Sequence, residues 1–314
     1  MDNLVMPREQ LGVCAEGNLH SVYLMFNAND GVESQLRPCV ANVAQYIYEL
    51  ADQYADSAFN GFVAIGANYW DSLYPVQRPS QLKPFPAMHA DNRDAPAHEY
   101  DLFVHLRCDR YDILHLVANE VCQMFEDLVE LVDEERGFQF MDTRDLTGFV
   151  DGTENPKGRH RQDVALIGDE DEVFRSGSYI HVQKYAHNLS KWNRLPQKKQ
   201  EDIIGRTKID NVEYASEDKP LTSHIKRVNL KDADGNSMEI LRQSMPYGSM
   251  KEQGLMFISV CRNSMHFEKM LHSMIHGDAE GHHDHLMHFT QALTGSAFFA
   301  PSLDFMEHEA ELES

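Results

Sequence analysis

The hydrophobic pattern along the chain changes period in a repeating order. Residues 100–108, Tyr100-Asp101-Leu102-Phe103-Val104-His105-Leu106-Arg107-Cys108, place aliphatic and aromatic side chains close to alternation and predict a strand. The next segment shifts to helical spacing, with Ile113, Leu114, Leu116, Val117, Val121, Phe125, Leu128 and Leu131 on one apolar face. The succession recurs in the second half. Residues 254–262, Gly254-Leu255-Met256-Phe257-Ile258-Ser259-Val260-Cys261-Arg262, read as a strand, and Phe267, Met270, Leu271, Met274 and Ile275 follow at helical spacing. Each helix leads to a similar phrase, Thr143-Arg144-Asp145-Leu146-Thr147-Gly148 in the first half and Thr290-Gln291-Ala292-Leu293-Thr294-Gly295 in the second. The opening strands also correspond, residues 21–26 with residues 178–182.

Each half therefore reads strand, helix, strand, strand, helix, strand, which predicts an α+β fold of duplicated ferredoxin-like units. An antiparallel sheet with helices on one face must bury its other face as well. Two such sheets packed together, helices outside, in the manner of a dimeric α+β barrel, meet that need within one chain. The expected halves are residues 1–156 and 157–314. The joint over residues 156–173 is polar and charged and reads as a surface loop, as the acidic ending Glu307-His308-Glu309-Ala310-Glu311 reads as a solvated tail.

Composition narrows the function classes. The chain has 314 residues, 42% of them hydrophobic, enough for a substantial core. A net charge of −22 repels phosphate-rich partners, so neither nucleic acid nor an anionic membrane surface is expected. No apolar run approaches the about 18 residues that span a bilayer. The five cysteines, Cys14, Cys39, Cys108, Cys122 and Cys261, are scattered and form no C-x-x-C pair, which fits a reducing compartment and excludes a C-x-x-C-H haem attachment. With no basic and apolar leader in Met1-Asp2-Asn3-Leu4-Val5, the expected location is the cytoplasm. A closed homo-oligomer is the expectation for sheets of this kind.

Special residues are densest at Gly148-Phe149-Val150-Asp151-Gly152-Thr153-Glu154-Asn155-Pro156. Two glycines around Phe149-Val150-Asp151, then Asn-Pro, define a sharp loop whose backbone can approach a flat ligand. Two readings stand: a tight turn in which Asp151 and Asn155 bond local amides, or a functional loop. The repeat informs the choice, because the second half continues with Ser296-Ala297-Phe298-Phe299-Ala300-Pro301, which has neither the acid nor the second glycine.

This loop closely resembles the G-x-x-D-G signature of dye-decolorizing peroxidases, in the form of the compact bacterial class B. The resemblance continues in Ser223-His224-Ile225-Lys226-Arg227, similar to the segment that bears the axial histidine, and in Leu241-Arg242-Gln243-Ser244-Met245-Pro246-Tyr247-Gly248, similar to the segment that bears the distal arginine. The segments fall in family order. The resemblance implies one non-covalent haem b per chain, with His224 as iron ligand and Asp151 and Arg242 as catalytic residues. It implies a reaction in which hydrogen peroxide is reduced and phenolic or dye-like small aromatic reductants are oxidised in one-electron steps. Cofactor-binding residues would be Asp151, Gly152, Thr153, His224, Arg227, Arg242 and Ser244; Ser244 stands where some relatives carry Asn.

The chemistry needs these residue types. Haem iron requires one strong axial donor, and a ligating imidazole usually gives its other N–H to an acceptor, for which Asp284 is the candidate. A carboxylate can take a proton from bound peroxide and return it to the departing oxygen. Because carboxylates ordinarily titrate near pH 4, such a base keeps working in acid, and turnover should peak below neutrality. A fixed guanidinium at Arg242 stabilises charge where the O–O bond polarises. The alternative assignments are a haem-binding or storage protein with incidental peroxidase activity, or a porphyrin-modifying enzyme of the same fold.

Other signals read more plainly. Asp232-Ala233-Asp234-Gly235-Asn236 misses a calcium-loop register and fits a hairpin turn between a His224 strand and an Arg242 strand. His272, His276, His282, His283, His285 and His288 lack a zinc-finger spacing and suggest a helix with exposed histidines. The patch Lys157, Arg159, His160 and Arg161 reads as a solvated loop, and Trp192, Tyr179 and Tyr185 are candidates for surface electron relays.

Overall fold

The computed structural model describes residues 6–312, so Met1–Val5 and the last two residues lie outside this account. The first half builds strands β1 (His20–Ala28), β2 (Asn60–Gly66), β3 (Met88–Ala90), β4 (Arg93–Ala95), β5 (Leu102–Cys108) and β6 (Val129–Phe138). Its helices are α1 (Leu11–Cys14), α2 (Glu33–Gln53), α3 (Trp70–Leu73) and α4 (Tyr111–Met124). The second half adds β7 (Ser178–His187), β8 (Leu241–Arg242), β9 (Met245–Gly248), β10 (Gln253–Cys261), β11 (Thr290–Ala292) and β12 (Ser296–Ala300). Helices α5 (His160–Ala165), α6 (Leu189–Trp192), α7 (Gln197–Ile204), α8 (His224–Val228), α9 (Ser264–Ile275) and α10 (Leu303–Glu311) complete it.

The expected α+β barrel with helices outside is present, its two halves continuous rather than separate sheets. They join edge to edge, β12 to β2 and β6 to β9, and the β7–β10 pairing closes a ring of eight antiparallel strands, β7-β12-β2-β5-β1-β6-β9-β10. Closure satisfies the edges that two sandwiched sheets would leave open. The strand orders of the two halves correspond: β6-β1-β5-β2 in the first, and β12-β7-β10 with β8 and β9 beyond in the second. The β6–β9 seam rests on Gly137 opposite Tyr247. A side chain at Gly137 would run into Ser21 Oγ and Met245 Cβ, so glycine is what lets the two edges meet.

Both faces of most strands are covered, which turns alternation into continuous burial. Inside the barrel lie Tyr23, Met25, Phe62, Phe103, Ile180, Val182, Tyr247, Met256, Ile258 and Phe298. Outside, α2 lays Leu36, Val40, Val43, Ala44, Ile47 and Leu50 over the first half, a stripe at helical spacing. Full burial of each large aliphatic there contributes about 1.5–3 kcal/mol.

Several local expectations are corrected. Helix α4 ends at Met124, and Leu131 lies on β6, 39% exposed, because the chain turns at residues 125–128 to supply a strand. The joint over residues 156–173 is not merely a loop: α5 forms there and buries Val164 and Ala165. Arg161 within it donates to the carbonyls of Cys14, Ala15 and Pro156, while Lys157, Arg159 and His160 stay exposed. The acidic ending is helix α10, anchored by buried Leu303 and Met306 and by Arg8, which pairs with Asp304 and Glu307. Asp232 does cap a hairpin turn, accepting from the amides of Asp234 and Asn236 while Lys231 and Ser237 pair antiparallel across it, but the segment that carries His224 is helix α8 and not a strand. Of the histidine group, His272 and His276 belong to α9 and its end, and the others to the loop and 3-10 turn over residues 278–288.

Candidate active site

A cavity of about 370 Å³ opens on the outer face of β7 and β10. Strand alternation decides its lining. Ile180 and Val182 point into the barrel, so Gln183, Tyr185 and His187 point outward into the cavity; Leu255 and Phe257 do the same from β10. Phe267, Met270, Leu271 and Met274 of α9 make an apolar wall. Residues Val150 to Glu154 and Arg242 enclose another side, and α8 contributes His224, Ile225 and Val228. A volume of this size, with an apolar wall from α9 and β10 facing polar groups on the other sides, suits a large organic ligand with polar substituents.

His224 opens the five-residue helix α8, and its Nδ1 lies 2.6 Å from Asp284 Oδ2. Asp284 is fully buried, and its other oxygen accepts from the Leu286 amide at 2.8 Å, capping the 3-10 turn His285–His288. The carboxylate is thus held from two sides and fixes the imidazole's tautomer. With Nδ1 engaged, Nε2 remains the free donor, the arrangement of a metal-ligating histidine with its supporting acceptor.

Asp151 and Arg242 meet on the same cavity, Arg242 Nη1 lying 3.9 Å from Asp151 Oδ1. At that separation the charges attract but no direct hydrogen bond forms, so both groups keep valences for a small third molecule. Asp151 Oδ1 also accepts from the Gly152 amide at 2.7 Å. Gly152 and Thr153 line the cavity, but the Gly152 amide is thereby engaged, and Thr153 Oγ1 accepts from Asn211.

Two residues named from the resemblance stand elsewhere. Arg227 is buried, and its Nη1 bonds Asp278 and the His282 carbonyl at 3.0 and 2.9 Å; it is absent from the cavity lining. Ser244 also stays outside the lining, its hydroxyl accepting from the Ile258 amide. The aromatic candidates are not on the surface. Tyr185 lines the cavity, Trp192 is fully buried behind Phe149 with Nε1 donating to the Thr147 carbonyl, and Tyr179 packs on Phe299.

Four cavity residues escaped the reading of the sequence. Arg206, 5% exposed, pairs with Glu154 at 2.6 Å and leaves its Nε unpartnered. Gln183 Nε2 and His187 Nε2 are likewise buried without a partner. Each buried donor left unmade costs about 1–3 kcal/mol, so the Arg206 and Gln183 donors, with the His187 Nε2 acceptor beside them, call for a polar ligand edge or water. Burial lowers the His187 pKa to about 4, which keeps the ring neutral. Asp145, whose carboxyl accepts from the Thr147 amide, is pushed up to about 6, first by burial and then by the Asp151 charge. Strand parity would have found Gln183 and His187 had the 178–182 strand been extended; Arg206 and Asp145 carry no local signal. A cavity with a braced histidine, orphaned polar donors and an apolar body fits a flat, metal-centred macrocycle with polar substituents.

Comparison with known proteins gives the class: a peroxidase built on an α+β barrel. The models for the N-terminal and C-terminal parts of Dyp-type peroxidases match residues 39–139 and 142–305, and the chain belongs to that family. The dye-decolorizing peroxidase of Mycobacterium tuberculosis (strain ATCC 25618 / H37Rv) is 40% identical over 80% of this chain and 75% of its own. A Shewanella oneidensis crystal structure of the dyp type is 84% identical, covers 97% of this chain and 99% of its own, and superposes with a TM-score of 0.96. A variant of DypB from Rhodococcus jostii RHA1 in complex with heme, 35% identical over 93% of this chain and 96% of its own, gives 0.89.

Proposed function

We propose that this peroxidase holds one non-covalent haem b in the cavity, with His224 as axial ligand and with Asp151 and Arg242 acting on hydrogen peroxide. One observation carries the reading: a single cavity is lined at once by His224, braced by a fully buried Asp284, and by the Asp151–Arg242 pair. The haem-bound Rhodococcus relative, of the same fold, supports it. When bound, the haem supplies the iron at which peroxide's O–O bond is cleaved. Asp151 accepts the proton of the inner peroxide oxygen and returns it to the outer one, which departs as water. Arg242 offsets the negative charge that grows on the departing oxygen. Asp284 keeps the His224 Nδ1 proton and makes Nε2 the stronger donor. Arg206, with its unpartnered Nε, and Thr153 would hold the propionates, while Arg227 fastens α8 to Asp278. Two one-electron donors of phenolic or dye-like chemistry then restore the enzyme.

Stopped-flow absorbance of the haem-loaded protein with one equivalent of peroxide tests this. The wild type should shift its Soret band within milliseconds, and His224→Ala should lose haem or change its spectrum. The Asp151→Ala/Arg242→Leu double variant should keep haem and react about 10²–10⁴-fold more slowly. A double variant that reacts at the wild-type rate sinks the assignment of the pair. A wild type that binds haem but ignores peroxide leaves a haem carrier.

A further inference from the structure

The loop that carries Asp151 is tied to Arg242 by a side chain with no part in the chemistry above. Asn155 Oδ1 accepts from the Arg242 backbone N–H at 3.0 Å, and Asn155 Nδ2 donates to the Arg242 carbonyl at 2.8 Å. The amide grips both backbone groups of one residue, 87 positions away in sequence. It takes the place of a neighbouring strand. Arg242 ends the two-residue strand β8, which meets β10 at Leu241 and Arg242 and, among the described residues, has no second strand beside it. On the next residue, Gln243 Nε2 donates to the carbonyls of Gly12 and Val13, pinning the chain to α1 from within the barrel.

The other end of the grip is equally determined. Asn155 N–H donates to the Gly152 carbonyl at 3.0 Å and closes a tight turn. Gly152 has a φ of +72°, and a Cβ there would stand 3.2 Å from Asn155 Nδ2, tighter than such contacts normally allow. Glycine therefore supplies the left-handed turn, an amide for Asp151 Oδ1, and room for the Asn155 side chain.

We infer that Asn155 is a positioning residue that sets the spacing of the Asp151 carboxylate and the Arg242 guanidinium. The inference rests on the function proposed above, since it concerns the pair that acts on peroxide. With the grip intact, loop and strand move as one body and the 3.9 Å separation is held. Without it, Asp151 keeps its backbone bond to the Thr143 carbonyl and Gln243 keeps its anchors, but nothing joins the Asp151 loop directly to the Arg242 backbone, and their separation can vary. A displacement of about 1 Å at a reacting pair can cost about 10²-fold in rate.

The test uses the haem-loaded protein and Asn155→Ala in wild-type and Arg242→Leu backgrounds, with Asn155→Asp as the conservative variant. Amide hydrogen exchange followed by mass spectrometry reads the grip whether or not the enzyme turns over. Asn155→Ala should expose the Arg242 amide to faster exchange, and Asn155→Asp, which keeps the acceptor, should retain most of the protection. The second-order rate constant for peroxide should fall ten- to a hundredfold in Asn155→Ala. Fluoride affinity, read from the Soret band, should fall with it, while the rate of donor oxidation stays put. In the Arg242→Leu background, Asn155→Ala should cost several-fold less than in the wild type, because the guanidinium whose spacing it sets is gone and only the effect on Asp151 remains. Equal losses in both backgrounds, or faster exchange at Arg242 with an unchanged peroxide rate, would overturn the inference. A wild type unreactive to peroxide would overturn the proposed function instead, and exchange at Arg242 would still report the grip. If Asn155→Ala unfolds, Asn155→Asp carries the same comparison, with an intermediate loss expected.

Discussion

The two halves of the barrel share a strand order yet cover their outer faces differently. In the first half the long helix α2, Glu33–Gln53, lies over the strands and fills the layer with Val40, Val43, Ile47 and Leu50. In the second half the chain between β7 and β8 forms three short helices, α6, α7 and α8, of 4, 8 and 5 residues. The short helices leave the outward residues Gln183, Tyr185, His187, Leu255 and Phe257 facing a cavity. The loop that follows β6 differs in the same sense. After Thr147-Gly148 the chain swings out through Asp151 to the cavity wall, whereas after Thr294-Gly295 it enters β12 and closes the barrel. One half supplies stability by dense packing, and the other gives up packing for a site.

The sharpest way to break this comparison is to remove the group on which the cavity depends. His224→Ala should lower peroxide turnover at least 10²-fold, as expected for loss of the axial donor, and release haem in a haem-transfer assay. Retention of full activity would detach the cavity from the chemistry. A second contrast concerns stability. Ile47→Ala, in the filled layer, should cost about 2–5 kcal/mol in urea unfolding with and without haem. Leu255→Ala, on the cavity wall, should cost markedly less in the haem-free protein and show its effect in haem affinity. Equal costs without haem would mean that the second half is packed as tightly as the first.

Electrostatics gives a smaller effect of defined sign. The Asp145 carboxyl titrates near 6 when folded, against about 4 unfolded. Between these values the native state keeps a proton that the unfolded chain has released. The resulting stabilisation is complete below pH 4 and is lost as pH rises through 6. Asp145→Asn has no such group, so its stability relative to wild type should rise by up to about 3 kcal/mol between pH 4 and pH 7. Chemical denaturation at the two pH values measures it, and a difference that stays flat removes Asp145 from the cavity's charge balance. Smaller still, Asp284→Asn should raise the iron reduction potential by weakening the His224 donor, which spectroelectrochemistry would show.

How much of this was legible beforehand depended on whether a signal was local. Periodicity located β5, β10, α4 and α9 because each buries a face over consecutive residues. It overran α4 by several residues, since Phe125 is buried at the helix end and apolar Leu128 and Leu131 continue the spacing into the turn and β6. Charge misled at both α5 and α10. Their exposed faces carry the polar residues that suggested loop and tail, and too few buried positions remained to declare a helix.

The sequence by itself determined the alternation of strands and helices, the repeat, and the Asp151 loop with its glycines, because each is written in neighbouring residues and their backbone preferences. It also carried the motifs of His224 and Arg242. Tertiary structure alone decided that the halves close edge to edge, that Arg227 turns to Asp278 while Arg206 faces the cavity, and that Asn155 grips Arg242 rather than local amides. Those outcomes depend on which donors and acceptors folding brings together from distant positions, where every buried polar group must find a partner. No short window of sequence specifies that choice.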